Sequence, residues 1–345
     1  MKLKVRPSRC LRRWYKDSNC SLCVESCPVN AIAVDGRDVI VDSGKCVLCG
    51  ACSSICPTGV FSLGLEELVE RLEPSEEVKI SCREVGERVI TTCINALNLQ
   101  HYITLASRHG RVVVDARCSG CPLSKGPGLK ALEEAQRVLG ARIEAIREGG
   151  GQSPLVRRAM LRKLVAGGAT LASPPLGAVI AATYMDRVEV EDVRQPERAP
   201  IKFRLLSLNA AKTLGVKLRV RHPTVDSDKC TFCGVCAGVC PTGAIEYEEA
   251  GILKIDPAKC VGCEHCVKLC PENAMAMTES EELQVLEYTK SMTVCPRCGF
   301  VYPSSLGDCP KCTVILEIVR DIYRGEARDC KEYGERIREK LRSLR

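Results

Sequence analysis

The spacing of the cysteines constrains this chain more than any other feature. Cys230-x2-Cys233-x2-Cys236-x3-Cys240-Pro241 and Cys260-x2-Cys263-x2-Cys266-x3-Cys270-Pro271 are complete copies of one run, and Cys46-x2-Cys49-x2-Cys52-x3-Cys56-Pro57 is a third. Three thiolates in one tight loop can grip three corners of a cuboidal cluster, while the fourth corner must be reached from elsewhere. The proline that follows ends the local turn and redirects the chain. Aromatic residues make up only 4% of the sequence, so conventional cores are limited and metal has to cross-link the small modules. Without metal those modules are expected to be largely unfolded.

At 345 residues with 25 Cys, several modules are expected. A Cys-rich stretch near residues 10–60 recurs near 228–275, each copy carrying two runs that end in Cys-Pro. Between the runs of each copy the residues alternate around a turn, Ala31–Val41 with Asp35-Gly36 in the first and Ala244–Ile255 in the second. Both read as short hairpins.

Residues 226–278 closely resemble the two-cluster bacterial ferredoxins, and the resemblance implies a pair of [4Fe–4S] clusters with crossed ligands. One cluster would take Cys230, Cys233, Cys236 and Cys270, the other Cys260, Cys263, Cys266 and Cys240. Zinc or disulfides would not need eight thiols in two interlocked runs.

The N-terminal copy is irregular. Its first run reads Cys20-x2-Cys23-x3-Cys27-Pro28, with Asp17 where the first Cys should stand. The same crossing assigns Cys46, Cys49, Cys52 and Cys27 to one full site and leaves Cys20, Cys23 and Cys56 one ligand short. Cys10 is the natural fourth ligand, because loop-closure cost grows slowly with length. A [3Fe–4S] cluster, Asp17 as an oxygen ligand, or no cluster at all are the alternatives.

Between the copies, strand, helix, strand, helix and strand patterns alternate over residues 77–148, including helix-like Ile94–Ser107, helix Gly128–Leu139 and strand Ile143–Ile146, which predicts a small α/β domain. Cys82, Cys118 and Cys121 stand just after predicted strand ends, and Cys93 opens a helix. Such edges are where sites form in open α/β sheets. The four thiols could hold zinc or an iron–sulfur cluster, form a redox pair through Cys118-Ser-Gly-Cys121, or be structural. Their layout is loosely similar to the iron–sulfur delta subunit of methanogen hydrogenases that feeds heterodisulfide reductase, which would imply a [2Fe–2S] site.

Residues 149–225 read as a Gly/Pro/Ala-rich connector. Within it Leu164–Met185 carries no charge and follows Arg157-Arg158, like a twin-arginine export motif, but its mid-chain place and its Gly167-Gly168 and Pro174-Pro175 pairs favour a docking segment or buried linker over a membrane span. Farther on, Cys295-Pro-Arg-Cys298 and Cys309-Pro-Lys-Cys312 form two knuckles of the zinc-ribbon kind, suited to tetrahedral Zn²⁺, with rubredoxin-like iron as the competing metal. A charged helix over 316–345 contains Cys330, read as incidental.

The expected fold class is α+β: ferredoxin-like dicluster modules at 1–66 and 226–280, the α/β domain at 77–148 between them, zinc-ribbon-like knuckles at 290–315 and the C-terminal helix. The formal charge of +7 counts thiols as neutral, so cluster loading makes the protein less basic and nucleic acid is not implied as a partner. No His–Asp–Ser set, GxGxxG loop or Walker run is present, so catalytic residues are not expected. The chain resembles polyferredoxin-like subunits of formate dehydrogenase, hydrogenase or heterodisulfide-reductase-like complexes. That resemblance implies a non-catalytic electron-transfer subunit relaying single electrons through about four [4Fe–4S] clusters. The rivals are a disulfide or sulfur-compound reductase using the central thiols, and a redox-sensing nucleic-acid binder using the zinc ribbon. The thiols and the lack of a long apolar N-terminal segment point to a reducing cytoplasm, with the membrane reached through a complex.

Overall fold

The structure, a computed structural model, describes residues 2–15, 18–82, 88–147, 188–191, 196–248, 250–309 and 312–313. Asp17, the stretch Leu164–Met185, Cys330 and the charged C-terminal segment lie outside them. The chain divides into two compact units, Met1–Arg219 and Val220–Arg345.

In the first unit, strand Leu3–Val5 pairs antiparallel with Phe61–Ser62, so the ends of the N-terminal cysteine module close on each other. The hairpin between its runs forms from Ile32–Asp35 and Asp38–Val41, turning at Gly36, whose φ of +56° suits glycine. Leu3, Val5, Val60 and Phe61 are buried beneath this pairing.

The middle of the unit is a four-stranded parallel sheet in the order Val89–Thr91, Ser75–Ser81, His109–Asp115, Ile143–Ile146. Val78, Ile80, Val112 and Val114 bury their side chains there, as expected when helices cover a parallel sheet. Helix Gly128–Leu139 matches its predicted limits. The stretch expected as one helix over Ile94–Ser107 is instead a 3-10 turn, Ile94–Ala96, followed by helix Leu99–Arg108. Asn98 resets the chain between them: its side chain accepts the His101 N–H in a capping box.

The segment read as a Gly/Pro/Ala-rich connector includes a strand and a helix among its described residues. Strand Val188–Val190 adds in parallel to Leu3–Val5, and helix Lys202–Thr213 packs on Leu99–Arg108, with the Phe203 ring 4.9 Å from that of His101.

In the second unit, strands Val220–Val225 and Met275–Ser280 pair antiparallel over six positions and close the C-terminal module as Leu3–Val5 and Phe61–Ser62 close the first. The hairpin Ile245–Glu248 and Ile252–Ile255 gains a third strand, Leu286–Thr289. Gly251, at φ +85°, permits that addition, because a Cβ there would lie 2.2 Å from the Lys290 carbonyl oxygen. A last hairpin, Met292–Val294 with Val301–Pro303, carries the first knuckle. Among the described residues no helix is long and apolar enough to cross a membrane.

Candidate metal centres

In the C-terminal module each run wraps its site with left-handed residues, Phe232 and Gly234 in the first and Gly262 and Glu264 in the second. Burial pushes the Cys236 thiol up to about 12, and the neighbouring thiols Cys230, Cys233 and Cys270 push it the same way. Cys263 is raised to about 11 by burial, then by Cys240 and Cys260. Each group therefore draws its fourth member from the other run. Cys266 rises through burial and through Cys263, Cys260 and Cys240, and it also senses Cys236, so the two groups adjoin. Thiols crowded and buried in this way hold their protons until a cation replaces them.

The N-terminal module repeats the arrangement. Cys27, Cys46, Cys49 and Cys52 line one cavity, with Leu3, Ile32 and Val41 among its apolar walls. The Cys49 thiol is pushed up to about 12 by burial, with Cys27 and Cys46 adding to it. The irregular half gathers Cys10, Cys20, Cys23 and Cys56: burial raises Cys23 to about 12, and Cys56, Cys10 and Cys20 contribute in the same sense. Cys10 is buried between the turn Pro7–Arg9 and helix Leu11–Trp14. The Arg12 Nε donates to the Cys20 carbonyl at 2.7 Å and ties down the loop that brings Cys10 back. The two halves meet where Cys52 senses Cys23.

Backbone amides point at the sulfurs. The last Cys of every run accepts an N–H from four residues on: Ala31 to Cys27 at 3.3 Å, Val60 to Cys56 at 3.5 Å, Ala244 to Cys240 at 3.2 Å and Ala274 to Cys270 at 3.3 Å. Amide donors of this kind stabilise thiolate and cluster charge. The four thiol groups, the cavity and these donors together fit cuboidal clusters, which such a module takes up as stores of single electrons.

The central cysteines converge on the carboxyl edge of the parallel sheet. Cys82 follows Ser75–Ser81 and Cys118 follows His109–Asp115, while Cys93 follows Val89–Thr91, a strand too short to read from the sequence. Burial drives the Cys93 thiol far up, and Cys49, Cys82 and Cys118 reinforce it. Asp115 is clamped in this edge by the Arg117 guanidinium, both contacts 2.8 Å, and accepts from Ser81 at 3.1 Å. The Arg117 hydrogen bond leads in holding its carboxyl down to about 2. Tyr102 is fully buried nearby, its phenol raised by burial and by the thiols of Cys93 and Cys118.

This edge abuts the N-terminal module. Cys49 and Cys93 lie in one buried cluster with Val47, Ala51 and Leu123, and Cys121 packs against it. Ser54 donates to the Asn95 carbonyl at 2.7 Å, and Asn98 donates back to the Ser54 carbonyl at 3.3 Å. Gly50 allows the approach, since a Cβ there would meet the Ala96 Cβ at 2.3 Å.

The knuckle cysteines are packed more tightly. The sulfurs of Cys295, Cys298, Cys309 and Cys312 all lie within 4.8 Å of one another. Two of the separations, Cys295–Cys312 and Cys298–Cys309, are 3.7 Å, close to the edge of about 3.8 Å that a tetrahedron with metal–sulfur bonds of about 2.3 Å requires. Backbone amides of Cys298 and Arg297 hold the Cys295 thiol down. Among the described residues, no other group of three or more such ligands closes to single-ion size.

Comparison with known proteins follows this geometry. A family model described as a 4Fe-4S dicluster domain matches residues 18–60 and 229–274. An uncharacterized ferredoxin of Methanocaldococcus jannaschii is 38% identical over 49 residues, 14% of this chain and 79% of the relative. The polyferredoxin-like subunit of an aliphatic sulfonate oxidoreductase of Pyrococcus furiosus is 49% identical over 37 residues, 10% of the chain and 21% of the relative. A ferredoxin of Saccharopolyspora erythraea is 46% identical over 35 residues, 10% of the chain and 33% of the relative. With a relative 38% identical and covered over most of its length, and a dicluster model matching at two places, the chain belongs to the ferredoxins, as an iron–sulfur electron carrier with 4Fe-4S dicluster domains at two places.

Proposed function

We propose that the chain is a relay subunit of a larger redox complex, moving single electrons through about four [4Fe–4S] clusters and a further centre at the central cysteines. The ligand sets are Cys27, Cys46, Cys49 and Cys52; Cys10, Cys20, Cys23 and Cys56; Cys230, Cys233, Cys236 and Cys270; and Cys240, Cys260, Cys263 and Cys266. Cys82, Cys93, Cys118 and Cys121 hold the additional iron–sulfur centre, and the four knuckle cysteines hold a structural zinc ion. The partner is of the formate dehydrogenase, hydrogenase or heterodisulfide-reductase-like kind. The relative named as the polyferredoxin-like subunit of an aliphatic sulfonate oxidoreductase supports a redox complex as the partner.

The burial of Cys49 against Cys93 carries this reading. Ligand thiols of two centres packed in one apolar cluster give a short electron path between the α/β domain and the module. The regular N-terminal site then lies between the central centre and the irregular site. EPR of the anaerobically reduced full chain tests it. Mutual broadening of a central signal and a cubane signal is expected, and Cys93→Ser removes that broadening while signals from the C-terminal module stay unchanged. Identical spectra for wild type and Cys93→Ser contradict the relay through the central domain.

A further inference from the structure

Two threonines repeat the same contact in both modules. Thr58 lies in Cys56-Pro57-Thr58-Gly59 and Thr242 in Cys240-Pro241-Thr242-Gly243. The Thr58 hydroxyl oxygen is 3.7 Å from the Cys56 sulfur, and the Thr242 hydroxyl oxygen is 3.6 Å from the Cys240 sulfur. Both threonines are buried, 1% and 6% exposed, so bulk water does not compete for these hydroxyls. The equivalent positions in the other two runs are Val29, after Cys27-Pro28, and Glu272, after Cys270-Pro271. A valine side chain has no donor, and the Glu272 side chain carries a carboxyl group in place of a hydroxyl. The backbone N–H from four residues on reaches the sulfur in all four runs, so it does not distinguish them.

We propose that Thr58 and Thr242 are positioning residues that set the direction of electron flow inside each module, by giving the sulfurs of Cys56 and Cys240 a hydroxyl donor that the residues at the equivalent positions, Val29 and Glu272, do not supply to Cys27 and Cys270. This rests on the crossed ligation assigned above, in which Cys56 serves the Cys10, Cys20 and Cys23 site and Cys240 serves the Cys260, Cys263 and Cys266 site. A ligated thiolate has no proton, so the threonine must donate. Reduction adds negative charge to the cluster, and a donor to its sulfur stabilises the reduced form more than the oxidised one, which raises the potential. One electron leaves the neighbouring cluster, which is oxidised, and arrives on the cluster served by the threonine, which is reduced. No bond breaks, and the hydroxyl keeps its proton. In the N-terminal module this draws electrons away from the cluster beside Cys93 and toward the irregular site.

The test is a potentiometric EPR titration of the anaerobically purified full chain with Thr58→Val, Thr242→Val and the corresponding Thr→Ser variants. Each Val variant is expected to keep wild-type iron and sulfide and to shift one midpoint potential downward, leaving the other module's potentials in place. Each Ser variant is expected to restore the wild-type value. Unchanged potentials in Val variants with full iron content overturn the proposal. If a Val variant loses iron, a Ser variant with intact clusters at the wild-type potential supports the hydroxyl role, whereas loss in both shows a packing role and overturns it. Failure of the ligand assignment is separate: it appears as Cys240→Ser altering the same cluster signal as Cys230→Ser instead of the one that Cys260→Ser alters.

Discussion

In the proposed ligation individual thiols decide which cluster a run serves, and the crossing would make neighbours in sequence belong to different sites. Cys23 and Cys27 are the clearest pair. Cys27 lines the cavity of Cys46, Cys49 and Cys52, whereas Cys23 senses Cys56, Cys10 and Cys20. Cys27→Ser is therefore expected to remove or alter one cubane signal and Cys20→Ser a different one, as read by EPR with iron analysis. If both substitutions affected the same signal, crossing would be refuted. Cys10→Ser should change only the signal that Cys20→Ser changes. The grouping of Cys10 with Cys23 was expected from the shortfall of one ligand in the first run, but the threonines were not legible, because a hydroxyl near a sulfur leaves no spacing signature of its own. The repeated Cys-Pro-Thr-Gly was the available clue.

Single elements show where local pattern sufficed and where it did not. The hairpin at Asp35-Gly36 and helix Gly128–Leu139 were readable because turn chemistry and helical periodicity are local. Strand Val188–Val190 was hidden because its partner, Leu3–Val5, is far away in sequence and three residues carry little pattern. Helix Lys202–Thr213 passed for connector because few of its residues are buried, namely Ser207, Leu208, Ala210 and Ala211. Its contact with His101 has a measurable consequence. Burial holds the His101 imidazole down to about 4, below the ordinary value of about 6.5. The unfolded chain thus takes up this proton first as pH falls, so stability drops from about pH 6.5 toward about 4. Between about pH 7.5 and about pH 5.5 the loss from His101 should be about 1 kcal/mol, seen as a lower urea midpoint of the first unit and reduced in His101→Gln, the remainder coming from His109, which burial also holds down. A pH-independent midpoint in wild type would contradict it. In the second unit, Gly251→Ala places a Cβ against the Lys290 carbonyl oxygen at a positive φ. Destabilisation of about 2 kcal/mol or more is expected in urea melts, and a neutral effect would mean that the third strand is not held there.

For the whole molecule, two kinds of cysteine arrangement separate by the size of what they enclose. The knuckle sulfurs close to single-ion dimensions, whereas the ferredoxin thiols line a larger space. Cys295→Ser should accordingly abolish bound zinc, about one ion per chain, and leave iron and sulfide at wild-type levels; a parallel loss of iron would contradict separate sites. The dicluster modules were readable from spacing alone because their ligands sit in short loops. The contact of the central thiols with the N-terminal module was not, because it depends on the parallel order of four strands and on the approach of Gly50 to Ala96. The central claim is that both modules carry a pair of cubanes, the irregular N-terminal one included. Iron, sulfide and zinc analysis of anaerobically purified full chain, combined with EPR during redox titration, tests it most directly. The account predicts iron and sulfide for about four cubanes per chain, with interacting signals from each pair; iron for no more than about two would contradict it.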